Sequence, residues 1–136
     1  MLIDEVLASD QDTITCSARV APGNPYASAG KIRGVVCLEY MAQAIAAFSG
    51  SKTGAARRPR IGYLIAATQL ALLAEAIYEG DSLRIEARRV WGDTALGKFD
   101  CSVSRGGELL ASASLSVYMP SEVLETGAAD PEERSP

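Results

Sequence analysis

Residues 33–50, RGVVCLEYMAQAIAAFSG, decide the fold of this 136-residue chain. Their pattern predicts a helix that is apolar nearly all the way round, and a helix of that kind belongs in the middle of a core. Gly50 suits its C-terminal end, because glycine readily adopts the left-handed conformation that closes a last helical turn. With a glutamate inside it, the stretch is a poor candidate for the roughly 20 apolar residues of a membrane span.

The charged residue inside this helix is Glu39, with Gln43 one turn later on the same side. A carboxylate buried without a partner is unfavourable by several kcal/mol or becomes protonated. We therefore expect Glu39 to meet a partner group, water or a substrate. The alternative is a structural carboxylate that bonds to nearby backbone or to Gln43 and helps to specify a dimer.

The composition excludes several functions. The sequence contains no histidine, which removes Ser-His-Asp and Cys-His catalysis and histidine-ligated metal sites. Acid-base chemistry at neutral pH then falls to carboxylates, a tuned cysteine or lysine, or tyrosine. A formal net charge of -4 argues against general nucleic-acid binding, which needs a basic face. Neither a metal nor a redox cofactor is implied.

The cysteines and the first residues indicate the compartment. Cys16, Cys37 and Cys101 are odd in number, far apart and at apolar positions, so we interpret them as reduced core residues of a cytoplasmic protein. Residues 1–5, MLIDE, have neither the charged start nor the apolar run of a secretory signal. Because the chain begins abruptly on a predicted strand, a missing upstream segment is a further expectation.

The rest of the chain alternates apolar and polar residues, as half-buried strands do. Strands are predicted over residues 1–8 and 12–21 before the helix, and after it over 61–78, 83–88, 99–104 and 109–117. The segment LALLAEAI within 61–78 would suit a helix by propensity, but its flanks favour one long strand. Gly106 and Gly107 mark a hairpin between the last two strands.

These elements predict an α+β fold in which an antiparallel sheet of about six strands wraps around one long central helix. The sheet and helix form a single domain over residues 1–120. Residues 121–136 are rich in acidic and small residues and are predicted to be a disordered tail. Residues 22–30, PGNPYASAG, form a shaped loop that leads into the helix.

The helix sequence GVVCLEYMAQAIAAFSG resembles the helix of 3-hydroxyacyl-acyl carrier protein dehydratases, in which a glycine opens the helix and a glutamate and a Met-Ala-Gln run follow. The similarity continues through residues 79–81 and covers most of residues 1–120. Short dehydratase-like proteins of aryl polyene and related fatty-acid-like pathways are the most similar members. The resemblance implies the hotdog fold, a sheet curled around a central helix.

The resemblance also implies roles for individual residues. Gly34 matches the glycine whose N–H holds the thioester carbonyl, where a helix N-terminus offers free donors. Glu39 matches the catalytic carboxylate, and Gln43 the glutamine beside it. The family's catalytic histidine falls at or near Pro25, with Tyr26 matching the neighbouring aromatic residue. Without that histidine, one proton transfer of the family's reaction has no evident agent.

Further residues are candidates for substrate contact. Gln43 and Tyr26 are predicted to contact the substrate, and Tyr63 and Ile65 to line an acyl tunnel, with plain core packing as the alternative. Basic residues in two clusters are candidates for binding a pantetheine phosphate or the acidic face of a carrier protein, unless they are simply solvated. The clusters are Lys31 with Arg33, and Arg57 with Arg58 and Arg60.

The resemblance implies an acyl-thioester protein of fatty-acid or polyketide-like biosynthesis, with a substrate carried by acyl carrier protein or coenzyme A. It implies a homodimer whose tunnel forms between two subunits, and a hetero-partner is also considered. The leading hypothesis is dehydration, with Glu39 as acid-base group and the Gly34 N–H polarising the thioester. One alternative is a thioesterase that uses the carboxylate alone; another is a non-catalytic subunit that binds acyl chains or pairs with an active dehydratase.

Overall fold

A computed structural model of the chain describes residues 2–52, 63–92 and 96–118. A single 3-10 turn, Gly34–Val36, precedes one helix, α1, which spans Cys37–Lys52. Eight strands are described: β1 (Glu5–Ser9), β2 (Thr13–Arg19), β3 (Lys31–Arg33), β4 (Tyr63–Leu72), β5 (Ala76–Tyr78), β6 (Ser82–Gly92), β7 (Leu96–Arg105) and β8 (Glu108–Tyr118). The predicted tail at 121–136 and the cluster of Arg57, Arg58 and Arg60 lie outside the described residues.

Six of the strands form one sheet in the order β1-β2-β6-β7-β8-β4, and every neighbouring pair is antiparallel. β3 and β5 pair separately as a two-stranded sheet. Gly106 and Gly107 form the turn between β7 and β8, both with positive φ, as the hairpin prediction requires. The predicted antiparallel sheet of six strands with one long helix is therefore confirmed.

The sheet buries one face against α1. Alternate residues of β2, β6, β7 and β8 point to that face, since side chains along a strand alternate between its two sides. Phe48 of α1 meets Phe99 of β7 edge to face, with ring centroids 5.7 Å apart. The buried strand residues that form this layer include Ile14, Cys16, Ile85, Phe99, Val103 and Leu115.

The three cysteines are buried free thiols, as the composition predicts. Burial raises the pKa of Cys16 to about 11 and that of Cys101 to about 12. Burial likewise raises the pKa of Cys37 to about 11, against a small lowering by Arg105. Such thiols remain protonated at neutral pH and behave as small apolar core residues.

The single strand predicted over 61–78 is wrong in its length. β4 ends at Leu72 and β5 begins at Ala76, because the chain leaves β8 there and crosses to β3. In between, the N–H groups of Leu73 and Ala74 donate to the carbonyl oxygen of Leu110. Pairing with β8 also explains why this stretch is a strand despite its helical propensity.

The helix is less enclosed than its composition predicts. One face is buried against the sheet, through Tyr40, Met41, Ala44, Ile45 and Phe48. The opposite face, with Leu38, Ala42 and Ala46, is only half-buried. In the three described ranges, no helix is long and apolar enough to cross a bilayer.

Candidate functional site

Gly34 stands where two backbone segments come into contact. A side chain at this position would collide with the carbonyl oxygen of Ala74 and lie 3.3 Å from that of Glu75. The Gly34 N–H donates to the Glu75 carbonyl oxygen at 2.8 Å. Only glycine permits this approach, so the residue joins the start of the helix to the segment between β4 and β5.

This contact engages the donor that the resemblance assigns to the thioester. The Gly34 N–H is bonded to the Glu75 carbonyl oxygen in this structure, and its binding of a thioester carbonyl stays a prediction. The next residue, Val35, is 44% exposed, and its N–H has no acceptor among the residues described. Because the first N–H groups of a helix lack acceptors within the helix, Val35 offers the donor at this end.

A groove of about 280 Å³ lies beside this helix start. Its apolar wall comes from Val35, Leu72 and Leu73, and both leucines are exposed. Arg33 and Glu75 supply the charged side chains of the lining. An apolar wall next to backbone donors suits a carbonyl group attached to an apolar chain.

Glu39 is half-buried on the open face of α1 and has a partner for one oxygen. The Gln43 Nε2 group donates to Glu39 Oε2 at 3.0 Å. The backbone N–H of Leu2 in turn donates to Gln43 Oε1 at 2.7 Å. Glu39 Oε1 has no hydrogen bond to any described residue, so the expectation of a partner is met for one oxygen only.

The loop over residues 22–30 is held by Glu79. The Gly23 N–H donates to Glu79 Oε2 at 3.0 Å, and the Glu79 N–H donates to the Gly30 carbonyl oxygen at 3.0 Å. Asn24 Oδ1 accepts from the Tyr26 N–H at 2.8 Å, which closes a local turn. Both ends of the loop are therefore tied to the segment that precedes β6.

Pro25 and Tyr26 lie at the exposed surface of that loop, with Tyr26 47% exposed. The Tyr26 side chain makes no hydrogen bond to any described residue, so within one chain it is not joined to Glu39. Tyr63 and Ile65 lie in β4. Their side chains are outside the described residues, and their place in an acyl tunnel stays a prediction.

Tyr40 is a residue that the sequence analysis missed. Its side chain is fully buried, and its hydroxyl meets no hydrogen-bond partner of good geometry among the described residues. Burial raises the pKa of Tyr40, and interaction with the Asn24 side chain offsets this in part. The sequence does contain a signal for Tyr40. A tyrosine directly after the glutamate of an apolar helix is expected to be buried with its hydroxyl, which then needs a hydrogen-bond partner.

Lys31 and Arg33 both occupy exposed positions of β3. They are two residues apart and so share one face of the strand. Lys31 lies opposite the exposed Tyr78 of β5, and Arg33 also lines the groove beside Gly34. Arg33 thus places positive charge at the groove, and Lys31 adds positive charge on the same face of β3.

Solved structures of similar shape support the hotdog fold. "The Dehydratase Heterocomplex ApeI:P from Xenorhabdus doucetiae" superposes with a TM-score of 0.82 at 22% identity, covering 96% of this chain and 90% of that one. A hypothetical thioesterase with coenzyme A from Streptococcus pneumoniae has a TM-score of 0.64 at 14% identity, covering 85% and 84%. The E. coli PaaI protein from the phenylacetic acid degradation operon gives 0.65 at 15%, covering 88% and 80%.

Comparison at the level of sequence gives two results. The family model described as "ApeP-like: ApeP dehydratase" matches residues 1–128. No curated protein sequence matches the chain.

Proposed function

Because the chain belongs to the ApeP-like family of dehydratases, a family of dehydratase-like acyl-thioester proteins, we propose that it is one half of a two-chain dehydratase. In this proposal it supplies Glu39 as one acid-base group. A second hotdog chain supplies the other. The observation that carries the proposal is a half-buried carboxylate, one oxygen of which has no hydrogen bond to a described residue, in a chain that has no histidine.

The chemistry requires two groups. When a 3-hydroxyacyl thioester loses water, a base removes the proton from the α carbon and that electron pair forms the new double bond. The bond between the β carbon and oxygen breaks, and an acid protonates the departing hydroxyl, which leaves as water. Loss of one such group typically lowers the rate by roughly a hundred- to ten-thousand-fold.

Glu39 suits the acid, because its Oε1 has no partner among the described residues and its Oε2 is held by Gln43. None of those residues places a second titratable side chain in hydrogen-bond contact with Glu39. Tyr26 is a poor substitute for the base, since tyrosine has a reference pKa near 10. The base therefore comes from the partner.

Two surfaces support a partner. β4 is an edge of the six-stranded sheet, and its exposed residues 66–70, AATQL, carry no charge or proline that would protect an edge. The open face of α1 adds half-buried apolar side chains around Glu39. A homodimer would cover both surfaces but would bring no histidine. The similar structure titled a dehydratase heterocomplex supports a different chain as the partner. In this proposal that chain bears the histidine.

The substrate in this proposal is a 3-hydroxyacyl group in thioester linkage to an acyl carrier protein or to coenzyme A, in fatty-acid or polyketide-like biosynthesis. The groove beside Val35 has room for the thioester end of such a chain. Arg33 lines that groove, and Lys31 lies two residues before it on the same face of β3; together they would attract a phosphate or an acidic carrier protein. The buried free thiols support a cytoplasmic location.

The test is a thioester assay that follows enoyl product and free thiol separately. The chain is assayed alone and mixed with a histidine-bearing hotdog dehydratase subunit, as wild type, as Glu39→Gln and as Glu5→Gln. Glu5 is exposed on β1 and serves as the matched control. We expect enoyl product only from the mixture, lost in Glu39→Gln and retained in Glu5→Gln.

Other outcomes contradict the proposal in different ways. Equal enoyl production by the chain alone would show that it needs no partner. Release of thiol that disappears in Glu39→Gln would identify a thioesterase. If the mixture forms enoyl product equally fast with wild type and with Glu39→Gln, this chain is a non-catalytic subunit.

A further inference from the structure

We propose that Gln43, held in one orientation by the Leu2 backbone N–H, gives the two oxygens of Glu39 different tasks. Oε2 is the anchored oxygen, and Oε1 is the oxygen that transfers the proton. Gln43 is then a positioning residue, and the segment before β1 is part of the site. This inference rests on the proposed function and specifies which atom performs it.

The direction of the hydrogen bonds follows from the first donor. A backbone N–H can only donate, so the group facing Leu2 must be the oxygen of the Gln43 amide. The NH₂ end of the same amide therefore faces Glu39 Oε2, 3.0 Å away. An NH₂ group also only donates, so Oε2 must accept and cannot carry a proton towards it.

The consequence is a fixed place for the proton. When Glu39 is protonated, the proton resides on Oε1, the oxygen without a partner among the described residues. Without the Leu2 N–H, the Gln43 amide could rotate and present its oxygen to Glu39, because its two ends are nearly the same size. The proton would then settle on Oε2, between the two side chains and away from a substrate.

The donor itself is well held. The Leu2 side chain packs against the core beside the buried Ile3. The Asp4 N–H donates to the Ser17 carbonyl oxygen at 2.9 Å, and Asp4 Oδ2 accepts from the Arg19 N–H at 2.6 Å. The segment before β1 is thus tied to β2, and the Leu2 N–H keeps its position relative to α1. Such support around a reacting group is what keeps its geometry productive.

Dehydration transfers one proton from Glu39 to the substrate. The bond between Glu39 Oε1 and its proton breaks as the departing hydroxyl takes that proton, and water leaves from the β carbon. Glu39 is left as a carboxylate, with the Gln43 NH₂ group stabilising charge at Oε2. The partner's base holds the proton from the α carbon. The cycle is complete when the base releases that proton to solvent and Glu39 Oε1 takes a proton from solvent.

The test removes the backbone N–H of residue 2, the donor to the Gln43 amide oxygen. Both variants, Leu2→Pro and Leu2→Ala, carry a short extension before Met1, because an initiator methionine is removed ahead of proline or alanine and residue 2 would then be a charged N-terminus. Leu2→Pro then deletes the N–H donor, and Leu2→Ala is the comparison that keeps the donor but loses the packing side chain. The first measurement is the NMR signal of the Gln43 side-chain NH₂ group, identified as the signal missing in Gln43→Met. We expect Leu2→Pro to move that signal as Glu39→Gln does, and by more than Leu2→Ala does.

The second measurement is dehydration by the mixture with a histidine-bearing subunit. Leu2→Pro and Gln43→Met should lower kcat by about tenfold or more with little change in KM, because acid-base geometry rather than binding is disturbed. Leu2→Ala, which keeps the N–H donor, should lower kcat less than Leu2→Pro does, and the exposed control Glu5→Gln should retain the wild-type kcat. If wild type shows no dehydration, the proposed function fails, yet the NMR comparison still decides the orientation of Gln43.

Two results would overturn the inference. An unchanged Gln43 signal and kcat in Leu2→Pro would show that the N–H does not orient the amide. An equal effect of Leu2→Ala would assign the role to side-chain packing. Should Leu2→Pro fail to fold, the Leu2 backbone N–H signal decides instead: it must shift in Gln43→Met, and an unshifted signal rejects the hydrogen bond.

Discussion

The Gly34 N–H and the Glu75 carbonyl oxygen form a 2.8 Å hydrogen bond that joins the start of the helix to the segment linking β4 and β5. This bond engages the N–H that the resemblance assigns to a thioester carbonyl, and the exposed Val35 lies beside the groove. The glycine is therefore required for the approach of two backbones. We propose that the N–H of Val35, rather than that of Gly34, serves a ligand at this end of the helix.

Gly34→Ala should destabilise the fold. Its new methyl group would meet the Ala74 carbonyl oxygen, and overpacking of this kind costs about 1–3 kcal/mol of the free energy of unfolding. Urea denaturation measures the difference. Val35→Ala is the neighbouring control and should change stability by less than about 0.5 kcal/mol, as for most exposed positions. Equal stability of Gly34→Ala and wild type would contradict the close contact.

Tyr40→Phe should stabilise the fold. The change removes a buried hydroxyl that has no hydrogen-bond partner in the described part of the chain, and an unsatisfied group of this kind costs about 1–3 kcal/mol. Thermal unfolding of Tyr40→Phe beside the exposed control Tyr26→Phe tests this. A lower melting temperature for Tyr40→Phe than for wild type would show that the hydroxyl is hydrogen-bonded in solution.

Stability should fall in alkaline solution as pH rises above 9. Burial raises the pKa of Cys16 and Cys37 to about 11 and that of Cys101 to about 12. The unfolded chain therefore loses these protons first, and stability decreases with pH wherever the unfolded state binds fewer protons. Denaturation between pH 8 and pH 11 measures the fall, because the thiols of the unfolded chain ionise with a reference pKa of about 8.5.

Cys16→Ala should make that alkaline decrease less steep, because one group with different proton affinities in the two states is gone. Cys16 is fully buried, so its thiol should also resist alkylation in the native protein. An unchanged slope in Cys16→Ala, or rapid alkylation of the native thiols, would contradict the burial of these groups.

Leu70→Lys should weaken assembly. Leu70 lies on the edge strand β4 and is 42% exposed, so a charge there opposes the partner that we propose covers this edge. Light scattering after size exclusion gives the mass, with Val6→Lys on the opposite edge strand β1 as control. We expect a smaller mass only for Leu70→Lys. An identical mass for wild type and both variants would place the interface elsewhere.

Much of the architecture follows from local pattern. The apolar run around Glu39 predicts the central helix, and strict alternation in segments such as that of Ile85 predicts half-buried strands. The two consecutive glycines at 106 and 107 predict the last hairpin. These features depend on which residues are neighbours along the chain, so they can be predicted from the sequence alone.

The division of the predicted strand over 61–78 into β4 and β5 does not follow from local pattern. By their sequence these residues suit one long strand, and they divide because Ala76–Tyr78 pair with β3. β3 itself is only three residues long and carries no periodic signal. Its pairing depends on the helix start being brought beside Glu75, which is a property of the folded chain.

Periodicity and helical spacing are local, so the amino-acid sequence alone predicts the central helix, most of the strands and the placing of Glu39 and Gln43 one turn apart. Which donors are engaged and which remain available depends on the folded chain. Leu2 and Gln43 are 41 positions apart along the chain, yet their hydrogen bond orients the amide that holds Glu39. Such contacts follow from topology, since hydrogen bonds between distant segments exist only once the sheet has brought those segments together.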